Sequence, residues 1–247
     1  MTPIISLQDI AFSYPERSAP VLSGLRFDLS PKERVGIIGP NGQGKTTFLH
    51  LCVGLLKPDK GLLTFKGEPV GKEKDLISLR RAVGLVFQNP EDQLFCPTVL
   101  EDVAFGPLNL GLDQQQAKDR ALWALDLVGL QGFERRITHK LSGGEKKVLA
   151  LATILAMQPE ALLLDEPTTG LDPETRQHIM DIVNGLDQSL VIVSHDWDFL
   201  DHTTDVLYTL DEGRLVHTDK GALHEHVHFH PSGHIPHEHK NGLNPGI

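Results

Sequence analysis

RVGIIGPNGQGKT, residues 34–46, decides how this chain is read. Its first half is a short apolar run of the buried-strand type, and GPNGQGKT (39–46) fits the phosphate-loop pattern G-x-x-x-x-G-K-[ST] between a strand and a helix. Gly39, Gly42 and Gly44, with Pro40, Asn41 and Gln43 among them, let consecutive backbone N–H groups turn toward one anion, and the helix start adds positive potential. Lys45 then reaches the β- and γ-phosphates of a nucleotide and the Thr46 hydroxyl is placed to ligate Mg²⁺, with Thr47 next to it. The helix is expected over about 46–56, stopped by Lys57-Pro58.

Outward from the loop, three more apolar runs resemble it: AVGLVFQ (82–88), ALLLD (161–165) and LVIVSH (190–195). Runs of this kind belong to a parallel sheet covered on both faces. They end at Gln88, Asp165 and His195, as the first ends at Gly39, and ligands of such sheets bind beyond the carboxyl ends of the strands. Asp165 therefore suits the Mg²⁺ shell, and Glu166 beside it suits a general base or water positioner at the γ-phosphate. Gln88 is assigned to Mg²⁺ and the attacking water, and His195 to the γ-phosphate; core roles are the alternative for both. The opening segments IISLQDIAFSY and VLSGLRFDLS alternate as antiparallel strands, GLLTFKG reads as an edge strand, and VLYTLDEGRLV as a closing hairpin turning at Glu212-Gly213. Residues 89–158 turn helical, with Ala117, Ala121, Leu122, Leu125 and Val128 on one face. The fold class is α/β, of the P-loop NTPase type: a parallel core sheet, an antiparallel β edge and a helical subdomain over about 89–158.

Composition narrows the function. The chain has 247 residues and a net charge of −10, against a nucleic-acid backbone as main partner. Two cysteines, Cys52 and Cys96, make no disulfide framework. No apolar run reaches the roughly 18 residues of a membrane span, and the first residues lack the basic and apolar regions of a signal peptide. The expected place is the cytoplasm, or the cytoplasmic face of a membrane held through a partner. The ATPase domain is expected over 1–218.

LSGGEKK (141–147) admits two readings. Ser142 with Glu145 makes a capping box, and Ser142, Gly143 and Gly144 at a helix start also make an anion site. Asp172 before Pro173 is likewise a good N-cap. The ordered set GPNGQGKT, Gln88, LSGGEKK, LLLDEPT, GLDP and His195 resembles the ATP-binding-cassette (ABC) ATPases over about residues 3–216. That resemblance implies a head-to-tail dimer with two ATPs between subunits. Ser142 and Gly144 of one copy would meet the γ-phosphate held by Lys45 of the other, Asp172 would couple the two sites, and Tyr14 would stack on adenine. An ordinary strand aromatic is the other reading of Tyr14. Glu145 and Lys147 stand where the commonest family pattern has Gln and Arg.

FQNPEDQLFCPTVLEDVAFGPLNLGL (87–112) narrows the resemblance to energy-coupling-factor ATPases, especially cobalt/nickel importer subunits of the CbiO/NikO type. It implies a transmembrane coupling subunit gripped near Leu94 and Phe95, a substrate-binding membrane component, and a homodimer or heterodimer of ATPases. Interior packing is the alternative for Leu94 and Phe95, vitamin uptake for the cargo, and a soluble cassette ATPase for the class. After about residue 218 the sequence becomes rich in His, Pro and Gly and reads as a flexible tail. His224, His226, His228, His230, His234, His237 and His239 there suit Ni²⁺, Co²⁺ or Zn²⁺ weakly, against a merely solvated extension.

Overall fold

A computed structural model describes residues 2–16 and 19–219. Two sheets carry the architecture. β1 (Ile5–Phe12) pairs antiparallel with β2 (Leu22–Leu29) on one side and β4 (Lys60–Phe65) on the other, and β4 is followed by the two-residue β5 (Glu68–Pro69). GLLTFKG therefore lies inside this sheet rather than at its edge. The second sheet has the order β10-β9-β3-β8-β7-β6. Its parallel members are β3 (Arg34–Ile38), β6 (Val83–Val86), β7 (Ala161–Asp165), β8 (Ser189–Val193) and β9 (Val206–Asp211), and β10 (Arg214–Thr218) closes it antiparallel. The β9–β10 turn uses Glu212 and Gly213 with φ of +44° and +75°, both central residues left-handed as a tight hairpin turn requires. Ser23 N–H donates to the Gly213 carbonyl at 3.1 Å and ties the two sheets together.

Strand alternation sorts the core into two apolar layers. Leu162, Leu164, Leu190 and Ile192 pack with the helical side, and Leu163, Val191 and Val193 with β1, β2 and α1 (Lys45–Cys52). Both faces of the parallel sheet are thus covered, which is why its strands read as unbroken apolar runs.

α1 stops at Cys52, four residues short of the expected end. Val53 caps it, Gly54 follows at φ +63°, Gly54 N–H donates to Leu51 O at 3.1 Å and Leu55 N–H to His50 O at 2.8 Å. This is a Schellman stop on a glycine, and it acts before the proline. α2 (Glu73–Ala82) has no counterpart in the sequence expectation. Its apolar side is short, with Leu76, Leu79 and Ala82 within ten residues and only Leu79 fully buried, too brief to stand out from the charged residues around it.

Between β6 and β7 lie α3 (Val99–Asn109), α4 (Gln114–Leu127) and α5 (Gly143–Leu155). α4 buries Ala117, Ala121, Ala124 and Leu125 while Leu122 is half-buried. α6 (Pro173–Asn184) and α7 (Trp197–Thr203) complete the chain of helices. No helix among the described residues is long and apolar enough to cross a membrane.

Candidate nucleotide site

The carboxyl ends of β3, β6, β7 and β8 open on one cleft of about 340 Å³, lined by Tyr14, residues of the glycine-rich loop, Gln88, Asp165, Glu166, Thr169 and His195. Backbone conformation shapes the loop. Gly42 and Gly44 have φ of +80° and +101°, and Gly39, at φ +148°, would set a Cβ 2.6 Å from the Leu210 carbonyl oxygen. Side chains are excluded there by sterics as well as by dihedral strain. Lys45, the first residue of α1, is 7% exposed. Its ammonium donates to the carbonyls of Gly39 (2.6 Å) and Pro40 (3.1 Å) and lies 3.1 Å from His195 Nε2. Burial holds it below the usual lysine range, opposed by Glu166 and Asp165. A poorly solvated cation at the mouth of a helix is an anion receptor.

Asp165 ends β7 inside the protein. Burial pushes its carboxyl above the usual range; a hydrogen bond from the Thr46 side chain works the other way, and Glu166 adds to the rise. Its Oδ1 is buried and accepts no hydrogen bond among the described residues, and the same holds for Glu166 Oε1. A buried carboxylate oxygen without a partner carries its full desolvation cost. Next to a threonine hydroxyl, with the exposed Gln88 amide on the same cleft, it belongs to the oxygen-donor set that Mg²⁺ takes. The residues present fit the ion.

Glu166 is 6% exposed and sits at φ +48°, a left-handed conformation rare for a residue with a side chain. Thr169 Oγ1 donates to its Oε2 at 2.9 Å, and the His195 backbone N–H reaches the same oxygen at 3.3 Å. His195 Nε2 lies 2.8 Å from Asn41 Oδ1 and 3.4 Å from Glu166 Oε1. One imidazole thus touches the loop, its lysine and the carboxylate. Tyr14 stands at the rim, its hydroxyl 3.1 Å from Thr47 Oγ1 and its ring edge-on to Phe12.

Ser142, Gly143, Gly144 and Asp172 lie outside this cleft's lining. Ser142 and Glu145 make the full capping box of α5, and Asp172 caps α6 by accepting from Thr175 N–H and Oγ1 at 2.9 and 2.7 Å. The two starts are neighbours: a Cβ on Gly144 would stand 3.0 Å from Thr175 Cγ2. Leu94 is buried, as its packing alternative has it, whereas Phe95 is 65% exposed and stacks edge-on against the exposed Phe105 at 4.8 Å. Asp102 holds that loop out by accepting from the backbone N–H groups of Phe95 and Cys96. The histidines of 224–239 lie outside the described residues.

A profile of the ABC transporter family matches residues 22–169, more than half of the chain. The chain belongs to the ABC transporter family. It is 52% identical over 237 residues to a protein of Nitratidesulfovibrio vulgaris provisionally named an ABC transporter ATP-binding protein, covering 96% of this chain and 86% of that one. It is 49% identical over 218 residues to the energy-coupling factor transporter ATP-binding protein EcfA of Methanothermobacter thermautotrophicus, covering 86% and 70%. In structure it is similar to cbiO1 from Clostridium perfringens, part of the ABC transporter complex cbiONQ, with a TM-score of 0.78, 33% identity, and 87% and 88% of the two chains covered. A dimeric ATP-binding cassette in a post-hydrolysis state with ADP and Pi aligns with a TM-score of 0.79 at 26% identity, covering 87% and 98%. This ABC protein is an ATPase, binding ATP with Mg²⁺.

Five contributors escaped the sequence reading. Thr169 orients Glu166, and Lys147 reaches the Glu166 carbonyl. Gln93 accepts from Phe87 N–H at 3.2 Å and donates to Ala150 O and Thr153 Oγ1 at 2.7 Å each, pinning the Gln88 loop to α5. Arg176 binds Asp196, next to His195, through Nε (2.5 Å) and Nη2 (2.7 Å). Adjacency to Glu166 and His195 was a signal for Thr169 and Asp196. Lys147 and Arg176 act across the fold and left none.

Proposed function

We propose that the chain is the ATP-hydrolysing subunit of an energy-coupling-factor importer. It would work as a pair on the cytoplasmic face of the membrane with a transmembrane coupling subunit and a substrate-binding membrane component. The observation that carries the catalytic part is the convergence of Lys45, Asp165, Glu166, Gln88 and His195 on one cleft. Lys45 exchanges its loop carbonyls for β- and γ-phosphate oxygens. Thr46, Asp165 and Gln88 would hold Mg²⁺, which would supply charge to offset that of the phosphate oxygens. Glu166 Oε1 accepts no hydrogen bond among the described residues, so it orients the attacking water and takes its proton. His195 contacts the γ-phosphate, and Tyr14 stacks on adenine. Ser142, Gly143 and Gly144 of a second copy complete the site from the other side, and Asp172, beside them, couples the two sites.

The exposed Phe95–Phe105 pair supports a membrane partner, since a stacked aromatic pair facing water is a docking anchor. Nickel or cobalt is the proposed cargo, supported by the likeness to cbiO1 and by the spaced histidines His224 to His239. Neutral imidazoles at such spacing chelate divalent ions modestly, because ordering the chain costs entropy. The test is uptake of labelled Ni²⁺ and Co²⁺ by vesicles holding the full chain with its membrane partners, next to a chain cut before His224. ATP-driven metal uptake that falls on truncation, with ATPase activity of the isolated chain unchanged, is expected. Uptake of a vitamin instead of either metal would overturn the cargo assignment.

A further inference from the structure

α5 touches more of the machinery than its first turn. Lys147 lies one turn in from Ser142, and its ammonium donates to the carbonyl of Glu166 at 3.0 Å, with the Pro167 carbonyl at 3.5 Å. Among the described residues no carboxylate side chain lies within ion-pair distance of it. Lys146, by contrast, pairs with Glu91 at 2.5 Å. The side chain is half-buried and lines one pocket with Phe87, Pro90, Leu164, Pro167 and Ile179. Burying an ammonium on two neutral carbonyls is costly unless the fold uses that contact. The carbonyl it holds belongs to the peptide that follows the left-handed Glu166. That dihedral decides where the carboxylate points, and an unusual dihedral persists only where surrounding contacts enforce it.

We propose that Lys147 is a positioning residue for hydrolysis: it locks the Glu166–Pro167 peptide and so sets the Glu166 carboxylate, linking the start of α5 to the catalytic centre of the same chain. The proposal rests on the role given to Glu166 above. Because Ser142 is assigned to ATP held by a second copy, a shift of α5 on closure of the pair would be passed through Lys147 to the chain's own Glu166. The two sites would then be linked through α5 as well as through Asp172.

The test compares Lys147→Met, which keeps the stem and removes the donor, with Lys147→Arg, in steady-state Mg-ATP hydrolysis by the full chain. The expected result is a kcat lower by about 10- to 100-fold for K147M, the scale of misplacing a reacting group. KM for ATP should stay near the parent value, and K147R should recover most of the rate. K147M should also accumulate as a dimer in Mg-ATP. A parental kcat in K147M overturns the proposal, as does ATP affinity falling together with kcat, which would make the residue a prop of the fold. Glu166→Gln is run alongside. Full turnover in that variant sinks the role of Glu166 itself, whereas a dead E166Q beside an active K147M sinks the Lys147 proposal alone.

Discussion

At the scale of the residue, Glu166 is a buried carboxylate held by Thr169, the His195 backbone and, through its carbonyl, Lys147, with one oxygen left over. Replacing it with Gln keeps volume and the Thr169 hydrogen bond but removes the proton acceptor. Turnover should fall by about 100-fold or more, the usual worth of a general base, while ATP affinity stays near the parent value. In the proposed pair, which would close on ATP and reopen on its hydrolysis, E166Q in Mg-ATP should run as a dimer on size exclusion and as a smaller species in ADP. Hydrolysis at the parent rate would remove Glu166 from its role. Asp165 beside it obeys a different constraint. Burial raises its carboxyl above the usual range; what suits it to a cation is its buried Oδ1, which accepts no hydrogen bond among the described residues.

At the scale of the element, the legible parts were those fixed by period and punctuation. Buried parallel strands showed as apolar runs, and four of them delivered the ends that build the cleft. The N-caps of α5 and α6 were readable because Ser142, Glu145, Asp172 and Pro173 act within one turn of chain. The end of α1 was misplaced because Gly54 and Pro58 both signal a stop and the nearer one wins by a backbone hydrogen-bond pattern. α2 escaped because its apolar side, Leu76, Leu79 and Ala82, spans only ten residues among charged ones. The left-handed Glu166 could not be read at all, since the lysine beneath it comes from another element. The same holds for the link from α6 to the His195 loop. Arg176 forks onto Asp196, which also caps α7 and accepts from Thr168 Oγ1. The Arg176 hydrogen bonds hold the Asp196 carboxyl below the usual carboxylate range. Its contribution is therefore present above the unfolded value of about 3.9 and is lost as pH falls through the lower folded value. Arg176→Met should destabilise the fold at pH 7 by about 1–3 kcal/mol, read from urea midpoints. The gap between variant and parent should close in the acid range below that unfolded value. A gap that stays constant with pH would mean that packing, not the ion pair, is lost.

At the scale of the whole molecule, the two parts of the proposed composite site do not meet within one chain. Lys45 faces the cleft, while Ser142 starts α5 outside it, next to the start of α6. The proposed head-to-tail pair would bring each cleft against the other copy's Ser142, and that arrangement makes a complementation test possible. Lys45→Ala removes the cation from the phosphate loop and should weaken ATP binding directly. Ser142→Arg leaves the cleft whole but fills the approach to the other copy's nucleotide; it also breaks the α5 capping box, at about 0.5–2 kcal/mol, so its thermal midpoint must be measured first. Each variant alone should be nearly inactive. In an equal mixture, random pairing makes half of the dimers mixed, and each mixed dimer has one site with both parts intact and one with both broken. Turnover should recover to at most about a quarter of the parent rate, and less if the two sites must fire together. Binding is read alongside turnover: if the mixed dimer neither turns over nor forms in Mg-ATP, although the two folded variants exchange subunits, Ser142 lies outside the neighbouring site; a mixed dimer that forms in Mg-ATP without turnover means that the two sites fire only together.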